Sequence, residues 1–286
     1  MNRTDEAPRL RRCFIFAPGT RPEIFAKALA AGADMVCVDL EDAVAPGDKE
    51  RARAQAFAAL PQAEGPAGVE RVIRINGLRS LEGMADVAAL LAAERDLEAV
   101  MLPKVRSAEE VRGLADLLEE HGKATRLHVI IETNEGLEAA ADIARASPRI
   151  ESLLFGGVDM AADLRCRPVW PALLYARSRV VHAAALAGVD AIDVPWLDLA
   201  DEAGLLAEAQ AAAELGFTGK GAIHPKQIAP LKAVFTPDEA TLAYARRVVR
   251  AFEESAGGLL VVDGKLIEKP VLRSLRRVIR AAEASA

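Results

Sequence analysis

Cysteine is scarce in this chain. The three residues Cys13, Cys37 and Cys166 are odd in number and spread across 286 positions. No Cys-x-x-Cys pair exists, so neither a zinc ribbon nor a disulfide framework is supported. Cys13 and Cys37 lie inside apolar runs and read as small buried hydrophobes, which suits a reducing cytoplasm. The four histidines, His121, His128, His182 and His224, have no metal-ligand spacing. No apolar stretch approaches the ~18–20 residues that a membrane-spanning helix needs. Residues 1–12 are charged and lack an apolar h-region, so no signal peptide is expected. Positive charge is not in excess: the formal net charge is −6, which argues against nucleic acid as the main partner. Walker A and Rossmann glycine patterns are absent. There is no low-complexity linker, apart from a Gly- and Pro-containing loop around residues 61–68.

Hydrophobic residues make up 51% of the chain, enough for a large core, and much of that is alanine in helix-like stretches. Eight apolar runs each end in polar or charged residues and are each followed by a helix-like stretch. Cys13–Ala17 leads into Pro18-Gly19-Thr20-Arg21, and Met35–Leu40 into Glu41-Asp42. Val72–Ile75 carries Arg74 and leads into Asn76-Gly77, and Ala99–Leu102 into Pro103-Lys104. Leu127–Ile131 leads into Glu132-Thr133, and Leu153–Phe155 into Gly156-Gly157-Val158-Asp159. Val189–Ile192 leads into Asp193 and the segment to Asp198, and Gly219–Ile223 into His224-Pro225. Eight strand–helix units with chemistry at the strand exits predict an α/β fold, a TIM (β/α)8 barrel with its site on the C-terminal face. The barrel is expected over residues 1–235, with a C-terminal helix–hairpin–helix extension over 236–286.

Helix boundaries are written into the sequence. Ser107 and Glu110 form a capping-box pattern ahead of Val111, Leu114, Ala115 and Leu118. Pro171 suits the first turn of a helix running to about Ala187, and Asp201 and Glu202 the positive end of one ending near Gly216. In the extension, Thr236-Pro237-Asp238-Glu239 starts a helix that Gly257-Gly258 ends. Leu259–Val262, Asp263-Gly264 and Lys265–Ile267 read as a hairpin with a type I′ turn. Pro270 opens a last helix to about Ala284, with Arg273, Arg276, Arg277 and Arg280 as a solvated face. This tail is placed to cover a barrel mouth, its own or a neighbour's.

Glu132 and Asp159 are the sharpest pair of candidates. They follow the fifth and sixth runs, and neighbouring parallel strands lie roughly 4.8 Å apart. Two carboxylates so placed can share one divalent cation, and open positions suit Mg2+; the alternative is a helix cap and a loop turn. Asp39, Glu41 and Asp42 form a second acidic cluster, with Asp39 and Glu41 on one face of an extended chain and Asp42 pointing away. They bind metal waters or orient a base, or else cap the helix near Pro46. Arg74 sits inside a strand, where a guanidinium needs an anion. That anion is a substrate carboxylate or enolate, or a strand-end acid. Gly19, Arg21 and Lys27 can hold a phosphate at a turn and helix start, or simply make a solvated turn. Lys104 suggests a Schiff-base aldolase, a weaker idea beside the acidic pair. His224 reads as a loop-bonding residue.

Taken together, Phe16–Pro22, Asp39–Val44, Arg74–Gly77, Leu102–Lys104, Ile131–Thr133, Gly156–Asp159, Leu174–Ser178 and Ile223–Pro225 resemble the citrate lyase β-subunit-like family. This family contains the CoA-ester lyases such as malyl-CoA and citramalyl-CoA lyases. The resemblance runs in order from about residue 11 to the C-terminal helix. It implies a Mg2+-dependent barrel that reversibly cleaves a carbon–carbon bond in a 3-hydroxyacyl-CoA, giving acetyl-CoA and a 2-oxoacid. By that likeness Glu132 and Asp159 ligate Mg2+, Arg74 binds the carbonyl or enolate oxygen, and Arg21 and Lys27 lie towards the CoA phosphates. A carboxylate on a neighbouring subunit's C-terminal segment protonates the carbanion, which implies a homotrimer or homohexamer. Two departures stand out. Val158 occupies a position where the family often has Glu, and Glu268-Lys269-Pro270 carries Glu where many members have Asp. Competing readings are a citrate lyase β subunit acting on an acyl-carrier-protein thioester, a free 2-oxoacid aldolase, a malyl-CoA thioesterase and a non-catalytic CoA-binding subunit.

Overall fold

The computed structural model describes residues 9–255 and 260–283. Eight parallel strands, β1 (Cys13–Pro18), β2 (Met35–Asp39), β3 (Glu70–Arg74), β4 (Ala99–Leu102), β5 (Arg126–Ile131), β6 (Ile150–Phe155), β7 (Asp190–Asp193) and β8 (Gly219–Ala222), pair in chain order and close β8 onto β1. The helices between them are α1 (Phe25–Leu29), α2 (Lys49–Ala59), α3 (Leu81–Ala92), α4 (Ala108–Glu120), α5 (Asn134–Glu138), α6 (Ala140–Ala144), α7 (Gly157–Asp163), α8 (Trp170–Ala187) and α9 (Glu202–Leu215). The helix α10 (Ile228–Val234) follows β8.

Side chains alternate across a strand, so residues two apart share a face. Phe14, Met35, Cys37, Val72, Ala99, Met101, Ile130, Leu154 and Ile192 form one buried apolar cluster. One step of two towards the strand C-termini lie Asp39, Arg74 and Glu132, and one step back lie Glu70, His128, Ser152 and Asp190. The barrel is thus stacked as a polar floor, an apolar waist and a charged mouth. In the floor, the Arg11 guanidinium bonds Glu70 through Nε (2.6 Å) and Nη2 (3.1 Å), Glu151 (3.2 Å) and Asp190 (3.1 Å). His128 Nδ1 lies 2.7 Å from Ser152 Oγ.

Residues out of step with this alternation face the helices. Asp193, expected as a strand-exit charge, is one of them. It accepts from Arg177 of α8 (2.9 Å) and from Lys220 of β8 (2.6 Å), and Lys220 also donates to Glu208 of α9 (2.7 Å). Four charges are thereby paired behind the barrel wall rather than at its mouth.

Two compact units divide the described residues, one over 11–232 and the other made of residues 9–10 with the part from Ala233 onwards. The second contains α11 (Glu239–Glu254), β9 (Leu260–Val262), β10 (Lys265–Ile267) and α12 (Lys269–Glu283). Val248, Ile267 and Leu272 are its buried centre, with Tyr244, Phe252 and Leu275 packed against them. Asp238 caps α11 by accepting from Thr241 N (2.6 Å). Asp263 and Gly264 both have positive φ, as a type I′ turn requires. Arg273, Arg276, Arg277 and Arg280 are exposed. Residues 256–259 and 284–286 lie outside the described set, and with them the expected Gly257-Gly258 stop, Leu259 and Ala284. Among the described residues no helix is long and apolar enough to cross a membrane.

One local expectation fails. Ser107 is the N-cap of α4, but its side chain makes no capping bond. Glu110, which a capping box would turn back on the cap, is held by Arg79 at 2.6 Å. An ion pair from the loop before α3 has taken the acceptor.

Candidate active site

Asp39 is opposite Arg74 in the β2–β3 register. The side chains meet as a fork on a fork: Arg74 Nε donates to Asp39 Oδ1 at 2.7 Å and Nη2 to Oδ2 at 2.6 Å. Asp39 also accepts from the amides of Glu41 (2.8 Å) and Ala43 (2.9 Å). Those two amides curl the chain directly after β2. Glu41 and Asp42 therefore both swing towards Arg74, with Nη1 3.1 Å from Glu41 Oε2 and 3.7 Å from Asp42 Oδ2. The expectation that Asp42 points away is wrong, because it assumed an extended chain where the structure has a turn. The anion that Arg74 needs is supplied from within, by the strand-end acids. Its guanidinium also stacks 4.8 Å from the Phe16 ring centroid, which fixes its plane.

The acidic turn is braced from outside the barrel. Lys49 of α2 donates to the carbonyls of Leu40 (2.8 Å) and Glu41 (2.7 Å) and to Asn76 Oδ1 (2.7 Å). Asn76 in turn donates through its amide and side chain to the buried Asp86 of α3, both at 2.7 Å. Nothing in the sequence signals this brace, because its members lie far apart along the chain. Gly19 completes the packing: its N–H donates to Asp39 O at 2.9 Å, and a Cβ there would come 2.7 Å from Leu40 and 2.8 Å from that oxygen.

Glu132, one residue past β5, is buried. Lys104 N donates to its Oε1 at 2.8 Å. A Cβ on Gly156 would lie 2.2 Å from Glu132 Oε2, so the space beside that oxygen exists only because residue 156 is glycine. Burial first, then the charges of Asp159 and Glu41, push the Glu132 carboxyl up to about 8, against the opposing pull of Lys104. Asp159 lies in the first turn of α7, partly exposed. A buried Glu132 whose charge is opposed by a neighbouring, partly exposed Asp159 is a donor set for a hard cation with oxygen ligands. Among the described residues no third acidic, histidine or cysteine ligand joins them, so the remaining positions would fall to water or substrate.

Lys104 was noted in the sequence only as a possible Schiff-base lysine. Its ammonium pairs with Glu41 and lies 3.4 Å from Asp42 Oδ1. Burial acts to lower its pKa, but the hydrogen bond and charge of Glu41, with Asp42 and Asp159, outweigh it and raise it. A Schiff-base nucleophile must be a neutral amine, so this site opposes that chemistry. Burial, with the charge of Asp42 adding to it, leaves Glu41 above the ordinary carboxylate range against the pull of Arg74 and Lys104. Burial also acts to raise Asp42, but Arg74 and Lys104 hold it low.

Arg21 is exposed and paired with Glu23 at 3.0 Å. Lys27 is exposed on α1, a five-residue helix preceded by a 3-10 turn over Pro22–Ile24. Glu268 is exposed at the start of α12, in the second unit. His224 closes a local capping box with Gln227, the loop role expected of it.

A sequence model described as HpcH/HpaI aldolase/citrate lyase matches residues 12–225. The citrate lyase subunit beta of Leuconostoc mesenteroides subsp. cremoris is 35% identical, over 97% of this chain and 95% of its own length. The L-malyl-CoA/beta-methylmalyl-CoA lyase of Rhodobacter capsulatus is 34% identical, over 96% and 95%. Among solved structures, protein CitE of Mycobacterium tuberculosis in complex with magnesium, acetoacetate and coenzyme A is 33% identical. It superposes with a TM-score of 0.80 over 96% of this chain and 98% of that one.

Proposed function

Since the chain belongs to the HpcH/HpaI aldolase/citrate lyase family, we propose that it is a Mg2+-dependent carbon–carbon lyase. It would reversibly cleave a 3-hydroxyacyl-CoA thioester, malyl-CoA- or citramalyl-CoA-like, into acetyl-CoA and a 2-oxoacid. The observation that carries this reading is the buried Glu132 beside Gly156, with its charge opposed by Asp159. Magnesium complexes of relatives with coenzyme A and with oxoacids support it.

Glu132 and Asp159 would hold the ion, which when bound would supply Lewis-acid charge to the oxygens of the 2-oxoacid fragment. The protein's own part is electrostatic and positional. Carbon–carbon cleavage leaves negative charge on the acetyl thioester. Arg74, fixed by Asp39 and Phe16, is a preorganised cation for it. Glu41 Oε2 is buried and makes no hydrogen bond, although Arg74 Nη1 lies 3.1 Å away, and burial raises its carboxyl towards the proton-carrying form. That makes Glu41 a candidate to exchange the substrate hydroxyl proton. Asp39 is saturated by four hydrogen bonds and orients Arg74 rather than moving a proton. Arg21 and Lys27, both exposed, are assigned to CoA phosphates by the resemblance. Glu268 is assigned to protonate the carbanion in a neighbouring barrel of a homotrimer or homohexamer. The free cysteines favour a cytoplasmic setting.

The test is acetyl-CoA release from malyl-CoA and citramalyl-CoA with Mg2+ and with EDTA. Release that stops in EDTA and in Glu132→Ala/Asp159→Ala is the expected outcome. Free malate without glyoxylate would identify a thioesterase instead. Mixing Glu268→Ala with Glu132→Ala chains should restore activity if Glu268 serves a neighbour.

A further inference from the structure

The two halves of the mouth are joined through one residue. Lys104 follows β4, between the strands that carry the acidic turn and those that carry Glu132 and Asp159. Its φ is +54°, a left-handed conformation that a non-glycine residue adopts at a cost. In that conformation its amide points at Glu132 Oε1 (2.8 Å), while its ammonium reaches Glu41 and Asp42. Asp159 adds to the field on the ammonium. Three carboxylates therefore act on the ammonium and a fourth acid, Glu132, bonds the amide, while Arg74, forked onto Asp39, is the other cation facing Glu41 and Asp42.

Resting on the magnesium reading above, we propose that Lys104 is a positioning residue and built-in counter-ion. Its backbone turns one Glu132 oxygen away so that the other faces the Gly156 cradle. Its ammonium holds Glu41 and Asp42 together and opposes a divalent ion at the neighbouring Glu132–Asp159 pair. Unlike charges attract and like charges repel through the same partly buried medium, so the residue does both at once. The lysine thereby keeps the acidic mouth assembled when no metal is bound and limits how tightly the metal is held.

The two roles predict effects of opposite sign in one variant. Lys104→Met retains the amide and removes the charge. In EDTA it should melt several degrees below wild type, because Glu41 and Asp42 lose one of the two cations they face, Arg74 remaining as the other. By calorimetric titration, the same variant should bind Mg2+ at least about tenfold more tightly, since removing one unit charge a few ångströms from a divalent ion has that effect even with water-like screening. The Mg2+-induced rise in melting temperature should exceed that of wild type. Lys104→Arg, which keeps the charge, should return both readouts towards wild type. A general packing defect would weaken metal binding along with stability and would not be rescued by added Mg2+. Equal or weaker Mg2+ binding by Lys104→Met overturns the proposal. So does an unchanged melting temperature in EDTA, or a variant that fails to fold even with Mg2+. If wild type itself binds no Mg2+, the magnesium reading falls, while the melting comparison in EDTA still decides whether Lys104 is the counter-ion of this cluster.

Discussion

Glu132 carries a proton at neutral pH in the metal-free protein, since its carboxyl is pushed up to about 8. A carboxylate in the unfolded chain titrates near ~4.3. Between these two values the folded state holds the proton more tightly than the unfolded chain does. The stability this contributes is full below about 4.3 and is lost as pH rises through 8. Glu132→Gln, neutral at every pH, should therefore raise the metal-free melting temperature at pH 8.5 and leave it little changed at pH 5. Metal binding must also displace that proton. At about pH 7 and a little below, Mg2+ uptake should release close to one proton per chain, and binding should tighten with pH. Titration calorimetry in buffers of different ionisation enthalpy measures both. Proton-free binding at pH 6.5 would show that Glu132 is not a ligand.

At the scale of elements, the strand exits place the chemistry and the turns after them aim it. The eight exits were readable from apolar runs ending in charge, because a closed parallel barrel leaves its strands few other ways to end. Which exits face the mouth was readable only in part. Asp193 has the same local pattern as Asp39, yet it is one residue out of step and faces Lys220 and Arg177. Asp42 was misplaced because two amides bonding Asp39 end the strand geometry that the reading assumed. The Lys49–Asn76–Asp86 brace and the double duty of Lys104 had no signature, since each depends on contacts between units that sequence spacing does not relate. Gly156 was legible only as part of the Gly156–Asp159 motif, not for its packing role, which is strict. A methyl there meets Glu132 Oε2 at 2.2 Å. Gly156→Ala should leave the barrel folded, judged by circular dichroism, and lower kcat/KM by about 10²-fold or more through displacement of Glu132. Retention of near-wild-type kcat/KM would show that Glu132 does not need that position.

Over the whole molecule, function and stability occupy opposite ends of the barrel. Arg11 bridges Glu70, Glu151 and Asp190 in the floor, buried and away from the mouth. Arg11→Met leaves those acids without their shared cation and should cost about 3–5 kcal/mol in denaturant unfolding. KM for the thioester should stay unchanged. A shift in KM comparable to that in a mouth variant would deny this division. The apolar waist between floor and mouth is what allows the two charged layers to be altered separately.

One ion shared by Glu132 and Asp159 is the centre of the proposed chemistry, and stoichiometry tests it most directly. Titrating Mg2+, or Mn2+ followed by electron paramagnetic resonance, into metal-free wild type and Glu132→Gln/Asp159→Asn should give one site per chain in the first and none in the second, with both chains folded. One site of undiminished affinity in the doubly substituted chain would contradict it.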